Sequence, residues 1–269
     1  MSSSIAFPHE AIAEAPPGPQ PLPRTLPNVF VVPAYNEADN LPRLLADLES
    51  RPALFPLGSC VVVVDDGSDD GTDELVRAYT GPLDVELCRL ESNQGPGAAF
   101  RVGFQTALER TPGEAFVVTL EADTTSDLDA LPEMIERAAA GADLVVASWA
   151  MVRVSFARRL LSAGAAFVVR HALGLHTHTV SSFYRVYRAS CLRGAFASYG
   201  DGLIKERGFA CKAELLAKLS ALGGHVEEVT VELDTSRRVG NSKMPVLRTI
   251  FAYWRLLARL RFSKGTAPA

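Results

Sequence analysis

Short apolar runs alternate with longer amphipathic stretches from Asn28 onward, and the two periods predict an alternating order of strands and helices. Runs at 28–33, 59–64, 84–90, 115–120 and 143–148 are too brief for buried helices and mostly rich in Val, so they read as strands. The segments 37–50, 70–79, 95–110 and 127–139 space their apolar residues as helices do. Such alternation implies an α/β fold: a mostly parallel, Rossmann-like sheet flanked by helices. Ligands of such sheets bind beyond the carboxyl ends of the strands, where strand order reverses. Past Trp149 the rhythm loosens, with helices predicted over 156–172, 187–196 and 209–222 and a strand over 226–233. A last amphipathic helix is predicted over 245–262, where Leu247, Ile250, Phe251, Trp254 and Leu257 share one face and Arg248, Arg255 and Arg259 another.

Composition divides the chain further. Residues 1–27 include Pro16, Pro17, Pro19, Pro21, Pro23 and Pro27, which forbid helix and central strand, so they form a tail or strap. The expected organisation is this tail, one catalytic domain over 28–244, and a C-terminal helix with its own tail over 245–269. Of 269 residues, 48% are hydrophobic and 22% charged, as in ordinary globular proteins. A net charge of -4 argues against a protein that coats nucleic acid. Cys60, Cys88, Cys191 and Cys211 lack paired spacing, so neither a zinc site nor a disulfide scaffold is expected. No run approaches the ~18 apolar residues of a membrane span, and no secretory leader pattern is seen, so a cytoplasmic protein is expected.

Polar groups gather where the predicted strands end. The first strand closes in Val31-Val32-Pro33-Ala34-Tyr35-Asn36-Glu37, which fits either a ligand-facing edge or a plain turn with Asn36 as helix N-cap. The second runs into Asp65-Asp66-Gly67-Ser68-Asp69-Asp70-Gly71-Thr72. A capped turn accounts for its later part, whereas two adjacent acids at a strand end suit hydrogen bonds to a base or ribose, with Gly67 permitting the tight turn. Gly95 and Gly97 would let the backbone approach a ligand or a neighbouring strand, but neither the P-loop spacing nor a dinucleotide fingerprint is present. After the fourth strand, Glu121 and Asp123 flank Ala122 as hard oxygen ligands suited to Mg²⁺ or Mn²⁺. An isolated acidic pair of this kind is more often a solvated turn; the order of all four motifs favours metal.

In that order the motifs resemble the GT-A glycosyltransferases of family 2, and among them the dolichol-phosphate mannosyltransferase and polyprenyl-phosphate glycosyltransferase group. The resemblance covers about Asn28 to Lys243. It continues through Arg158 with Ser162, the stretch Ser181–Arg188 (SSFYRVYR), Gly208–Glu214 (GFACKAE), and the run ending in Arg237, Gly240, Ser242 and Lys243. The resemblance implies that Pro33, Tyr35, Glu37, Asp65 and Asp66 line a nucleoside pocket. It puts Glu121 and Asp123, with Ala122 between them, at the family's DxD metal position. Arg158, Ser162, Arg237 and Lys243 are then expected to hold phosphates of donor or acceptor, and with Asp123 to make up the catalytic set. The implied reaction is inverting, metal-dependent transfer of a sugar from GDP-mannose or a UDP-hexose to a polyprenyl or dolichyl phosphate. An acceptor phosphate is already anionic at neutral pH and requires no strong general base, so alignment and charge stabilisation carry the rate. The half of the chain beyond Trp149 is expected to shape the acceptor side.

Departures from the group's pattern keep two other readings open: transfer to a hydroxyl of a small molecule or glycan, and a non-catalytic subunit that binds nucleotide sugar. Glu121 replaces the usual first Asp, and Thr125 a metal-binding Gln. Trp149-Ala150 replaces an Arg-Tyr pair, removing one expected phosphate-binding arginine. Thr179 replaces an Asp and Lys212 a Gln. His176 and His178 are candidates to bind phosphate or to act as a base, or else are structural. The final helix fits either an interfacial segment at the inner face of a membrane or core packing.

Overall fold

A computed structural model of the chain describes residues 22–23, 25–149, 179–180, 182–231 and 246–263. The predicted helix over 156–172 lies outside these residues. Seven strands are described: β1 Asn28–Ala34, β2 Cys60–Asp65, β3 Val85–Arg89, β4 Phe116–Thr119, β5 Leu144–Trp149, β6 Arg185–Arg188 and β7 Val226–Val231. The described helices are α1 Leu41–Glu49, α2 Thr72–Arg77, α3 Pro96–Arg110, α4 Leu131–Ala140, α5 Ala189–Tyr199, α6 Cys211–Ala221 and α7 Val246–Ser263. The strands form one sheet in the order β3-β2-β1-β4-β6-β5-β7, parallel except for β6, which runs antiparallel to both β4 and β5.

The central strands are apolar on both faces because both faces are covered. Val29, Val31, Val62, Val64 and Val117 point towards α3, α5 and α6, where Phe104, Leu192 and Leu216 meet them. Phe30, Val32, Val61, Val63 and Val118 point the other way, onto Leu41, Leu44 and Leu48 of α1 and Leu131 and Met134 of α4. Each such side chain contributes about 1.5–3 kcal/mol of burial. The period of two along each strand therefore survives inside a run that reads as uniformly apolar.

Two boundaries differ from expectation. The first helix begins at Leu41 rather than at residue 37. Asn36 is held at φ 54°, outside helical space, and Pro42 suits only the first turn of a helix. The segment at 187–196, expected to be helical, begins as the end of strand β6, and its helix follows directly over Ala189–Tyr199. With only four residues, β6 carries too little alternation to announce itself.

Candidate active site

Strand order runs outward from β1 through β2 to β3 on one side and through β4 on the other, so the reversal lies between β1 and β4. The loops leaving these two strands hold the first and fourth sequence motifs. Leu120 N–H donates to the Val31 carbonyl at 3.1 Å, which draws the Glu121–Asp123 segment against the end of β1. Because β6 is antiparallel, its first residue, Arg185, pairs with Thr119 and Val146 at the same carboxyl edge. Parallel and antiparallel strands thus bring residues from distant parts of the chain to one crevice.

The loops after β1 and β2 are tied together by their own polar side chains. Asn36 exchanges hydrogen bonds with Asp69: its Nδ2 donates to Asp69 Oδ1 at 2.8 Å, and the Asp69 amide donates to Asn36 Oδ1 at 3.0 Å. The Asn36 and Glu37 amides donate to the hydroxyls of Ser68 and Thr72, both at 2.9 Å. Asn36 is therefore a cross-link between loops rather than a helix cap. Pro33 is half-buried, Tyr35 is exposed, and half-buried Glu37 accepts from Asn40 Nδ2 at 2.8 Å.

Asp65 and Asp66 are both buried, and their carboxylates face different loops. Asp65 Oδ1 accepts from the amide and the hydroxyl of Ser68. Its Oδ2 lies 3.6 Å from Arg89 Nε and has no hydrogen bond among the described residues. Asp66 accepts from the amides of Gln94 at 2.7 Å and Gly95 at 2.8 Å, clamping the glycine loop to the end of β2. Burial pushes the Asp66 carboxyl above its ordinary range, against the lowering effect of those two amides. Gly67, at φ 72°, makes the turn its position required, and a β-carbon there would strike the Ser92 backbone. The approach that Gly95 and Gly97 permit is to the 206–207 backbone: the Gly97 amide donates to the Arg207 carbonyl at 2.9 Å, and a β-carbon on Gly97 would overlap the Glu206 carbonyl.

Beyond β4, Glu121 is half-buried, while Ala122 and Asp123 are buried. Asp123 Oδ1 accepts from the Thr125 amide at 3.1 Å and from its hydroxyl at 2.7 Å, fixing the carboxylate in a short turn where Thr124 takes φ 61°. Among the described residues no group of three or more His, Cys, Asp or Glu converges as a metal cage.

Two buried cations lie at the same edge. Lys212, in the first turn of α6, has its ammonium 3.9 Å from the centre of the Phe183 ring. Burial lowers its pKa to about 8, and the charge of Glu121 opposes that shift. Arg185 donates to the carbonyls of Lys212 at 3.0 Å and Val180 at 3.2 Å. Neither residue stood among the sequence candidates for the site. Both lie in stretches that carry the resemblance, Ser181–Arg188 and Gly208–Glu214, and Lys212 stood out as a replacement of the group's Gln, but neither was given a role. Thr179 donates its amide to Glu228 Oε1 at 2.8 Å and shares a 2.7 Å hydroxyl contact with Ser148, joining the segment before β6 to β5 and to Glu228. The candidates Arg158, Ser162, Arg237 and Lys243, with His176 and His178, lie outside the described residues.

Comparison with known proteins agrees with this geometry. The chain is 32% identical over 269 residues to polyprenol monophosphomannose synthase of Mycolicibacterium smegmatis, covering 95% of this chain and 96% of that protein. It is 32% identical over 221 residues to undecaprenyl-phosphate mannosyltransferase of Micrococcus luteus, covering 80% and 86%. Among solved structures, glucosyl-3-phosphoglycerate synthase of Mycobacterium tuberculosis with Mg²⁺ and UDP superposes with a TM-score of 0.60 at 19% identity, over 91% of this chain and 81% of that one. That likeness shows the shared GT-A fold. Residues 29–196, which contain both loops of the crevice and strand β6, match the family described as Glycosyl transferase family 2; this chain belongs to that family and is a glycosyltransferase.

Proposed function

We propose that this chain transfers a hexose from a nucleotide sugar, GDP-mannose or a UDP-hexose, to a polyprenyl phosphate with inversion at the anomeric carbon. The observation that carries this reading is the 32% identity to polyprenol monophosphomannose synthase, sustained over nearly the whole of both chains. Residues 28–244 act as the catalytic unit, flanked by the proline-rich tail and the C-terminal helix.

The nucleoside lies against Pro33, Tyr35 and Glu37 at the end of β1. Asp65 joins them as the order of the motifs implies, and Asp66 holds the glycine loop in place. Glu121 and Asp123 fit a divalent ion, Mg²⁺ or Mn²⁺. Two hard carboxylates match the one or two with which proteins hold Mg²⁺ when substrate phosphates and water complete its shell. When bound, such an ion supplies charge stabilisation to the departing diphosphate. Thr125 fixes Asp123, so its carboxylate is already oriented before substrate arrives. Arg158, Ser162, Arg237 and Lys243 complete the phosphate-binding set, as the order of their motifs implies.

The protein works at the cytoplasmic face of a membrane, with α7 in contact with lipid. In support, Phe251 is 73% exposed and Trp254 61%, while no described helix is long and apolar enough to cross a bilayer. The test is a donor and acceptor screen with purified protein and Mg²⁺ or Mn²⁺. Labelled sugar should appear on polyprenyl phosphate from one of GDP-mannose and UDP-glucose. Label that appears only on soluble hydroxyl acceptors would overturn the lipid-phosphate reading.

A further inference from the structure

Helix α6 contains two buried lysines with opposite surroundings. Lys218, 7% exposed, donates to Glu214 Oε1 at 2.6 Å and to the carbonyls of Gly202 and Leu203 at 2.6 and 3.1 Å. Lys212, 6% exposed, makes no hydrogen bond or ion pair through its ammonium among the described residues. That ammonium rests on aromatic faces, 3.9 Å from the Phe183 ring centre and 5.2 Å from that of Phe209. Cation–π contact offsets only part of the cost of desolvating an ammonium.

The surroundings add positive charge rather than removing it. Arg185, 1% exposed, bonds only to neutral partners among the described residues, namely the Lys212 and Val180 carbonyls and the Tyr187 hydroxyl, and its Nε has no partner. Lys212 also sits in the first turn of an 11-residue helix, whose amino end favours anions. The acid of that turn, Glu214, is already engaged by Lys218, by Arg259 and by the amides of Lys205 and Glu206. Glu121 is the carboxylate that bears on Lys212, from beyond ion-pair distance. Two buried cations and a helix amino end thus share one partly exposed carboxylate, and no described carboxylate pairs with the Lys212 ammonium.

We propose that Lys212 is a substrate-binding residue whose ammonium takes a phosphate oxyanion, from the nucleotide diphosphate or the acceptor phosphate, with Arg185 as the positioning residue that holds the first turn of α6. This rests on the function proposed above, in which both substrates carry phosphate. It assigns to the protein a buried cation within electrostatic reach of Glu121, on the α6 side of the site.

The test compares wild-type protein with Lys212→Gln, Lys212→Met and Lys212→Arg. Binding of GDP, UDP, guanosine, uridine and detergent-solubilised polyprenyl phosphate is measured by calorimetry in EDTA. Gln and Met should weaken at least one phosphate ligand about tenfold or more, leave the matching nucleoside unchanged, and leave Tm equal or higher because an unpaired buried charge is gone. Arg should restore part of the affinity. Loss confined to GDP or UDP assigns the donor diphosphate, and loss confined to polyprenyl phosphate assigns the acceptor. Wild-type affinity of Gln and Met for every phosphate ligand overturns the proposal and leaves the functional reading standing. A fall in Tm with equal loss of nucleoside and nucleotide binding also overturns it, in favour of a packing role. Wild-type protein that binds neither nucleoside diphosphate, in EDTA or with Mg²⁺ or Mn²⁺ added, would instead sink the functional reading itself.

Discussion

Side chains at the crevice edge divide between those that build the loops and those left to meet a ligand. Asp66 illustrates the first kind: two amides occupy its carboxylate, so its place beside Asp65 serves loop-to-loop clamping. Adjacent acids at a strand end can be read from sequence; which loop each will grip cannot, because Gln94 and Gly95 are 28 and 29 residues away. The glycines behave likewise. Gly97 could be recognised as a point of close approach, but its neighbour, the Glu206 carbonyl, comes from the far side of the chain. Gly97→Ala should therefore destabilise the protein by about 1–3 kcal/mol through overpacking, despite a helix-propensity gain of up to about 1 kcal/mol. A denaturant midpoint equal to or above wild type would show that the 206–207 loop yields freely.

At the scale of elements, strands and helices with a clear period were legible through β5, and the short or two-sided elements were not. Strand β6 escaped because its four residues, Arg185–Arg188, begin and end in buried arginines. Helix α7 shows a related limit. Its apolar and arginine faces were evident, but periodicity does not say which face turns inward. Arg255 and Arg259 ion-pair with buried Glu206, and Arg259 also with Glu214, while Leu256 is buried and Phe251 and Trp254 project outward. The inward face is thus tied by charge, and an aromatic face is left exposed. Replacing both Phe251 and Trp254 by Ser should leave Tm nearly unchanged and abolish flotation with anionic liposomes. Flotation undiminished in the double variant would remove α7 from the membrane contact.

Over the whole molecule, the order β3-β2-β1-β4 sets a crevice between β1 and β4, and antiparallel β6 brings a second, cationic wall to the same edge. The acidic wall of Glu121 and Asp123 was legible because it follows a strand end in motif order. The stretches of Arg185 and Lys212 were noted too, but not that they meet at this edge, since that depends on the reversed direction of β6 and the packing of α6, which no local pattern records. Together the walls suit a substrate in which a diphosphate spans metal and ammonium. The charge at Asp123 can be removed with little disturbance, because Asn retains the Oδ1 that Thr125 grips. The most direct test is transfer of label from GDP-mannose or UDP-glucose to polyprenyl phosphate by wild-type protein and by Asp123→Asn, with Mg²⁺ or Mn²⁺ present. Wild-type protein should transfer label, and kcat of the folded variant should fall about 100-fold or more. Equal rates in the two proteins, or no transfer by the wild type from either donor, would contradict the proposed function.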